Sequence, residues 1–353
     1  MLSTIIKLSS LTKHTGLLNE LTHEQACNIA TEASKQGVAG WILERLKTDY
    51  QSEQGYEILK NELFKQTIFV HLKNQENISI INEIYRLLNA ENIEVVLLKG
   101  AALMTSYYSD ISLRPIGDID IWVGHNDVYR AHKILKQIST NRNDKTFRTY
   151  VLQESIRTHL PELHIDGQVV ELHYNMYSPD SLMNPKDNIA HNLIVHGKFT
   201  LLNDVMLLYH LTTHILKNRA TLGVRIGWIV DIVMLFEKWG GEKSAQTCMA
   251  AMQQNERVAA KMLLIWRYVV SLTSENISNK ICSILGVSEL PIDASHLLST
   301  NEGYKHGLRM RLRAIRTLFV ATYRSIAEVK GISAKTKRMR DILYDIHNRY
   351  NYQ

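Results

Sequence analysis

Through the first ninety residues the apolar positions recur at helical spacing. Between Thr22 and Leu46 they fall at Ala26, Ile29, Ala30, Ala33, Val38, Trp41, Ile42 and Leu46, with Gly37 and Gly40 interrupting. A second helical pattern runs from about Tyr56 to Leu88 through Ile58, Leu63, Ile68, Leu72, Ile78, Ile81, Ile84 and Leu87. The period then changes. Val95, Val96, Leu97 and Leu98 form a short continuous apolar run, β-branched at its start, followed by Lys99 and Gly100, which predicts a buried strand. A short helix is expected over Ala101 to Tyr108, a second strand over Ile119 to Val123, and a helix from Asp127 to Ile138 that Asn126 or Asp127 is suited to cap. Gly167 marks a turn between Leu163–Ile165 and Val169–His173, predicting a hairpin that adds strands to the same sheet.

Beyond Asn203 the helical period returns, over Val205 to Leu216, Ile226 to Trp239 and Ala245 to Leu272, and the last fifty residues read as basic amphipathic helices. No repeat of fixed period is visible. The 353 residues exceed what one compact core usually holds. The expected class is α+β, with an N-terminal helical region over 1–90, a core with a small mixed sheet over 91–200, and a C-terminal helical region with a basic tail over 201–353.

Composition narrows the function classes. Apolar residues make up 45% and charged residues 22%, ordinary usage for a folded domain and unlike a disordered or fibrous chain. The three cysteines, Cys27, Cys248 and Cys282, lie far apart, so neither a disulfide framework nor a clustered-thiolate zinc site is expected. No apolar run approaches the ~18 residues of a membrane helix or resembles a secretory signal, so the expected location is the cytoplasm. The net charge of +6 is concentrated at one end: residues 305–353 carry twelve Lys and Arg against three Asp and Glu, or +9, leaving −3 for the remainder.

The candidate chemistry lies between Lys99 and Val123. Side chains alternate along a strand, so Asp118 and Asp120 share one face while Ile119 and Ile121 enter the core. A fold keeps adjacent like charges most easily with a divalent cation between them, and hard oxygen ligands suit Mg²⁺ or Mn²⁺. Glu171, within the apolar strand VVELHY, is placed to add a third carboxylate from a neighbouring strand. Three such groups can hold one or two ions for phosphoryl or nucleotidyl transfer. Gly100 opens a helix, so backbone N–H groups at Ala101 and Ala102 are expected to face phosphate oxygens, with Lys99 and Arg114 supplying positive charge.

These residues resemble the nucleotidyltransferase superfamily that includes DNA polymerase beta, specifically its bacterial branch of uncharacterised proteins. The resemblance rests on Lys99-Gly100-Ala101-Ala102, Tyr107 or Tyr108, Arg114, Gly117-Asp118-Ile119-Asp120, and Glu171-Leu172-His173-Tyr174. It continues more weakly through His210, His214, Arg225 and Asp231. It implies a mixed sheet of about five strands, two metal ions, and transfer of a nucleoside monophosphate from ATP or another nucleoside triphosphate to an acceptor, with pyrophosphate released. In that reading Asp118, Asp120 and Glu171 are both metal ligands and catalytic groups, and Lys99, Gly100, Ala101, Arg114 and Gly117 hold the nucleotide. His173 and Tyr108 are candidates for contact with the acceptor or for supporting the carboxylates. The chain departs from the wider superfamily signature in having Ala101 where a glycine or serine follows the turn glycine.

Other features carry blander readings. His210 and His214 share a helix face but lack a third ligand at recognisable spacing, so they read as packing residues, as do Tyr107 and Trp122. Asp231, inside an apolar helix, requires a partner, for which Arg225, His214 or His210 is expected. The basic tail reads as solvated helix faces, with attraction to RNA phosphates or an anionic surface as the functional alternative. The acceptor is a small molecule, a tRNA end or a protein side chain. The alternatives to transfer are a catalytically silent nucleotide-binding or interaction module of the same fold, and two-metal hydrolysis of a phosphate ester.

Overall fold

The computed structural model describes residues 1–140, 159–174, 192–219 and 224–287. Four helices come first: α1 (Leu2–Ser9), α2 (His23–Lys35), α3 (Ala39–Asp49) and the long α4 (Tyr56–Asn89). The Thr22 side chain accepts from the Gln25 N–H and the Gln25 side chain from the Thr22 N–H, a reciprocal pairing that fixes the start of α2. Gly37, at φ +73°, lies in the break before α3, where the interruption was expected.

Next come β1 (Val96–Leu97), α5 (Lys99–Ser106), β2 (Asp118–Trp122), α6 (Val128–Ile138), β3 (Leu163–Ile165), β4 (Gln168–His173), β5 (Leu193–His196) and β6 (Phe199–Leu202). They form one six-stranded sheet in the order β3-β4-β2-β1-β6-β5. It is mixed. β2 runs parallel to β4 and β1 parallel to β6, while β1–β2, β3–β4 and β5–β6 are antiparallel. The hairpin expected at Gly167 is present, with Asp166 and Gly167 both at positive φ, the conformation of a tight type I′ turn.

Helices α7 (Asp204–Arg219), α8 (Ile226–Trp239), α9 (Gly241–Gln253), α10 (Glu256–Val270) and α11 (Glu275–Leu285) complete the described chain. Two of the predicted helices differ from the sequence reading. The single helix expected over Ala245–Leu272 is divided at Gln254 and Asn255, the latter a residue type that favours helix starts over interiors. Asp127 occupies the cap position of α6, but its side chain makes no capping hydrogen bond and instead lies 3.4 Å from Arg130.

Apolar residues cover both faces of the sheet. Leu97, Ile119, Ile121, Val170 and Leu172 pack with the C-terminal part of α4 and with α6. Val96, Leu98, Trp122 and Leu202 join a second core that takes Ile5, Leu46 and Leu63 from the first helices and Phe236, Trp266 and Ile281 from the last. Leu11 N–H donates to the Leu272 carbonyl, tying the two ends of the described chain together. No described helix is long and apolar enough to cross a membrane.

Candidate active site

The site is built on the parallel pairing of β2 with β4. Asp118 lies opposite Val169, Asp120 opposite Glu171 and Trp122 opposite His173. Because side chains alternate, Asp118 and Asp120 from one strand, and Glu171 and His173 from the other, share a sheet face, while Ile119, Ile121, Val170 and Leu172 are fully buried on the opposite face. The alternation expected from the sequence therefore holds, and the two acidic strands are neighbours.

At the end of β1, Leu98 N–H donates to the Asp120 carbonyl at 3.0 Å. Lys99 follows at φ +44°, a left-handed conformation that costs a side-chain-bearing residue about 1–3 kcal/mol and persists only where surrounding contacts impose it. Here the contact is ionic. Lys99 Nζ lies 2.5 Å from Asp120 Oδ1 and 3.8 Å from Glu171 Oε2. His173 Nε2 is 2.7 Å from the same Asp120 oxygen and 3.3 Å from Glu171 Oε2. One buried carboxylate, 1% exposed, thus joins three elements of the chain.

These contacts set the titration of the group. Burial opposes ionisation of Asp120, but the Lys99 ammonium and His173 hold its carboxyl well below the usual range. Glu171 is also lowered: burial is the largest single influence and works against its charge, but the His173 hydrogen bond together with the His159 and Lys99 charges outweighs it. Asp118 goes the other way. Burial, and then the neighbouring Asp120 charge, push it up to about 6. Three carboxylates face one lysine ammonium, an excess of two negative charges when all are ionised. Donor atoms of Asp120, Glu171 and His173 lie within 4.8 Å of one another, a hard-oxygen and imidazole set that fits a divalent cation. Asp118 stands outside that close group and couples to it through its charge.

The turn before α5 is tightly packed. A Cβ on Gly100 would meet Ile116 Cγ2 at 2.9 Å and Arg114 Nη1 at 3.3 Å, so the position requires glycine for close approach. Ala102 N–H donates to the Leu98 carbonyl, the first helical bond, so it does not face a ligand as the sequence suggested. By helix geometry the N–H groups without intrahelical partners are those of Lys99, Gly100 and Ala101. The Gly117 carbonyl accepts from Gln168 Nε2 at 2.6 Å, which fixes the strand end that carries Asp118.

Arg114 has a partner that the sequence did not indicate. Its Nε lies 2.9 Å from Asp231 Oδ1 and its Nη2 2.8 Å from Asp231 Oδ2, while Nη1 donates to the Pro115 carbonyl. Tyr108 donates its hydroxyl to the same carboxylate at 2.9 Å. Asp231 therefore docks α8 onto the segment between α5 and β2, through Arg114 and Tyr108 rather than Arg225 or the α7 histidines.

Further residues border the site. The His159 and His173 ring centroids are 5.2 Å apart, and residues 159 and 173 form an antiparallel bridge. From α7, His210 is driven well below its ordinary value by burial and then by Lys99, and His214 falls to about 4 for the same reasons. Both fit neutral packing residues. Lys217, one turn further, is lowered by burial and then by Lys99, while Glu171 and Asp120 act against the shift. Its ammonium therefore belongs to the electrostatic neighbourhood of the carboxylates, a role the sequence gave no sign of because the residue opens the polar run Lys217-Asn218-Arg219 after Ile215-Leu216.

The family model described as uncharacterised nucleotidyltransferase matches residues 23–268, a span that contains the whole sheet. Neither a curated protein nor a solved structure matches the chain. With its paired acidic strands and a family match extending over more than half its length, the chain belongs to the uncharacterised nucleotidyltransferase family.

Proposed function

We propose that the protein moves a nucleoside monophosphate from a nucleoside triphosphate to a hydroxyl acceptor, using Mg²⁺ or Mn²⁺. The observation that carries this reading is the register of Asp120 beside Glu171 on parallel strands, with Lys99 delivered to the same carboxylates from the Lys-Gly turn. Asp118, Asp120 and Glu171, supported by His173, would hold the metal, which would supply positive charge to the triphosphate and polarise the acceptor hydroxyl.

The chain's own groups then divide the work. Lys99 and the N–H groups of Gly100 and Ala101 bind phosphate oxygens at the start of α5. Arg114, held by Asp231, borders the same turn and adds to its positive potential, and Gly117 lets the triphosphate approach the strand end. Glu171, less buried than Asp120, takes the acceptor proton, and His173 orients it through their 3.3 Å contact. The acceptor oxygen forms a bond to the α-phosphorus, the bond from that phosphorus to its bridging oxygen breaks, and pyrophosphate departs.

The test is incubation of the full chain with each nucleoside triphosphate, labelled at the α-phosphate, together with Mg²⁺ or Mn²⁺. Mass spectrometry of the protein, of added RNA and of a metabolite extract then identifies the acceptor. RNA is included because of the charge excess in residues 305–353, which lie outside the described residues. Label transfer with release of pyrophosphate is the expected result. Nucleotide-dependent thermal stabilisation without pyrophosphate release would instead identify a silent binding module, a reading favoured by the way Lys99 already neutralises Asp120. Nucleoside monophosphate released to water would mean hydrolysis.

A further inference from the structure

A second group of metal-ligating side chains lies among the first helices, away from the acidic strands in sequence. His23 and Cys27 are four residues apart on α2 and therefore share a face, and Glu62 meets them from α4. One ring nitrogen of His23, the Cys27 sulfur and one Glu62 oxygen all lie within 4.8 Å of one another. The individual contacts are close to those of a tetrahedral centre. Cys27 Sγ is 3.6 Å from His23 Nδ1, against ~3.6 Å between sulfur and nitrogen ligands of one zinc ion, from bond lengths of ~2.3 and ~2.05 Å. Glu62 Oε1 is 3.5 Å from His23 Nε2, against ~3.3 Å for nitrogen and oxygen ligands. The two contacts use different ring nitrogens, so coordination needs a small rotation of a side chain that is 72% exposed.

We propose that His23, Cys27 and Glu62 form a Zn²⁺ site that staples α2 to α4, with water as the fourth ligand. The donor set argues for zinc over magnesium or calcium: a thiolate and an imidazole are borderline-soft ligands, and one carboxylate is too few for a hard cation. Glu62 is mostly covered, so its position is fixed by packing rather than by the ion. Lys65 Nζ holds the same Glu62 oxygen at 2.6 Å and is the group the metal displaces. Binding removes the Cys27 thiol proton to solvent and forms bonds to sulfur, nitrogen and oxygen without any change of oxidation state.

The experiment uses the full chain, reduced and freed of metal, titrated with Co²⁺ as a spectroscopic substitute. One equivalent is expected to raise a thiolate-to-cobalt charge-transfer absorption in the near ultraviolet, and Zn²⁺ to abolish it by competition. The acidic strands contain no cysteine, so this absorption is indifferent to whether the catalytic reading holds, and the Cys27 substitution separates it from thiolates at Cys248 and Cys282. Cys27→Ser should eliminate the band. His23→Ala and Glu62→Gln should each weaken Co²⁺ binding by at least about tenfold, the loss that follows even removal of an outer partner of a metal ligand. These two substitutions keep the test decisive if the serine variant fails to fold. A chain that shows no band, or a band that survives Cys27→Ser, overturns the assignment.

Discussion

Removal of the Asp231 carboxylate tests how the candidate site is held together. The Asp231 side chain is 2% exposed and that of Arg114 14%, and the acid accepts four hydrogen bonds, three from the guanidinium at 2.8, 2.9 and 3.3 Å and one from Tyr108 at 2.9 Å. Asp231→Ala leaves a guanidinium charge and a hydroxyl without their partner in a covered setting. The expected loss is about 3–5 kcal/mol, the cost of uncovering one member of a buried pair. Tyr108→Phe removes one bond to a charged acceptor and should cost about 1.5–3 kcal/mol. The double variant Arg114→Met, Asp231→Leu removes both charges and fills the space with apolar atoms, so it should lie within about 1–2 kcal/mol of the parent. Urea denaturation followed by circular dichroism measures all four proteins. Asp231→Ala costing less than about 1 kcal/mol, or a double variant as unstable as Asp231→Ala, would show that the pair is not a buried dock. The same double variant also separates stability from function. It should bind nucleoside triphosphate more weakly, because the guanidinium that packs against the Gly100 turn is gone.

Other outcomes follow from individual contacts. Asp118→Asn should abolish label transfer while raising the stability of metal-free protein by about 1–2 kcal/mol at pH 8, after allowance for solvent screening, because it removes a charge that the fold disfavours; transfer retained in both Asp118→Asn and Asp120→Asn would end the mechanism. Gly100→Ala should cost about 1–3 kcal/mol through overpacking against Ile116 and raise the KM for nucleotide, and a variant that matches the parent in both would show that the turn has room to spare. Stability should fall in acid. Burial holds His132 at about 4 against ~6.5 in the unfolded chain, so between these values the unfolded state binds more protons and stability drops as pH is lowered through the window, by about 3 kcal/mol from this residue. Urea midpoints from pH 7 to 4 measure the drop, and His132→Gln should flatten the profile; an unchanged slope would locate the acid sensitivity elsewhere.

Much of the sheet could be read before any coordinates. Ile119-Asp120-Ile121 carries its own period, Asp166-Gly167 has the dipeptide that a tight hairpin demands, and the apolar run before Lys99 has the length of a buried strand. The position of Glu171 was legible for the same reason: two strands of alternating character in one small sheet have few ways to place their acids. What escaped was either long-range or locally ambiguous. Arg114 and Asp231 are separated by 117 positions and neither carries a sequence mark of the other. The β5–β6 hairpin was missed because Leu193-Ile194-Val195 lacks polar alternation, and its turn glycine, Gly197, stands outside any recognised pair. The break between α9 and α10 has neither glycine nor proline to announce it. Lys217 shows the limit of periodicity most clearly, since it is connected to the carboxylates only through the fields of Lys99, Glu171 and Asp120 and not through any spacing along the chain.

The separation of Arg114 from Asp231 also bears on how the protein is made. A ribosome adding ~5–20 residues per second needs roughly 6–23 s to travel from one member of that pair to the other. For most of that interval the nascent chain already carries the acidic strand Asp118–Trp122 and the lysine turn, yet lacks the helix that braces them. The nascent polypeptide therefore emerges with its guanidinium uncompensated, and the brace closes only after α8 has been added.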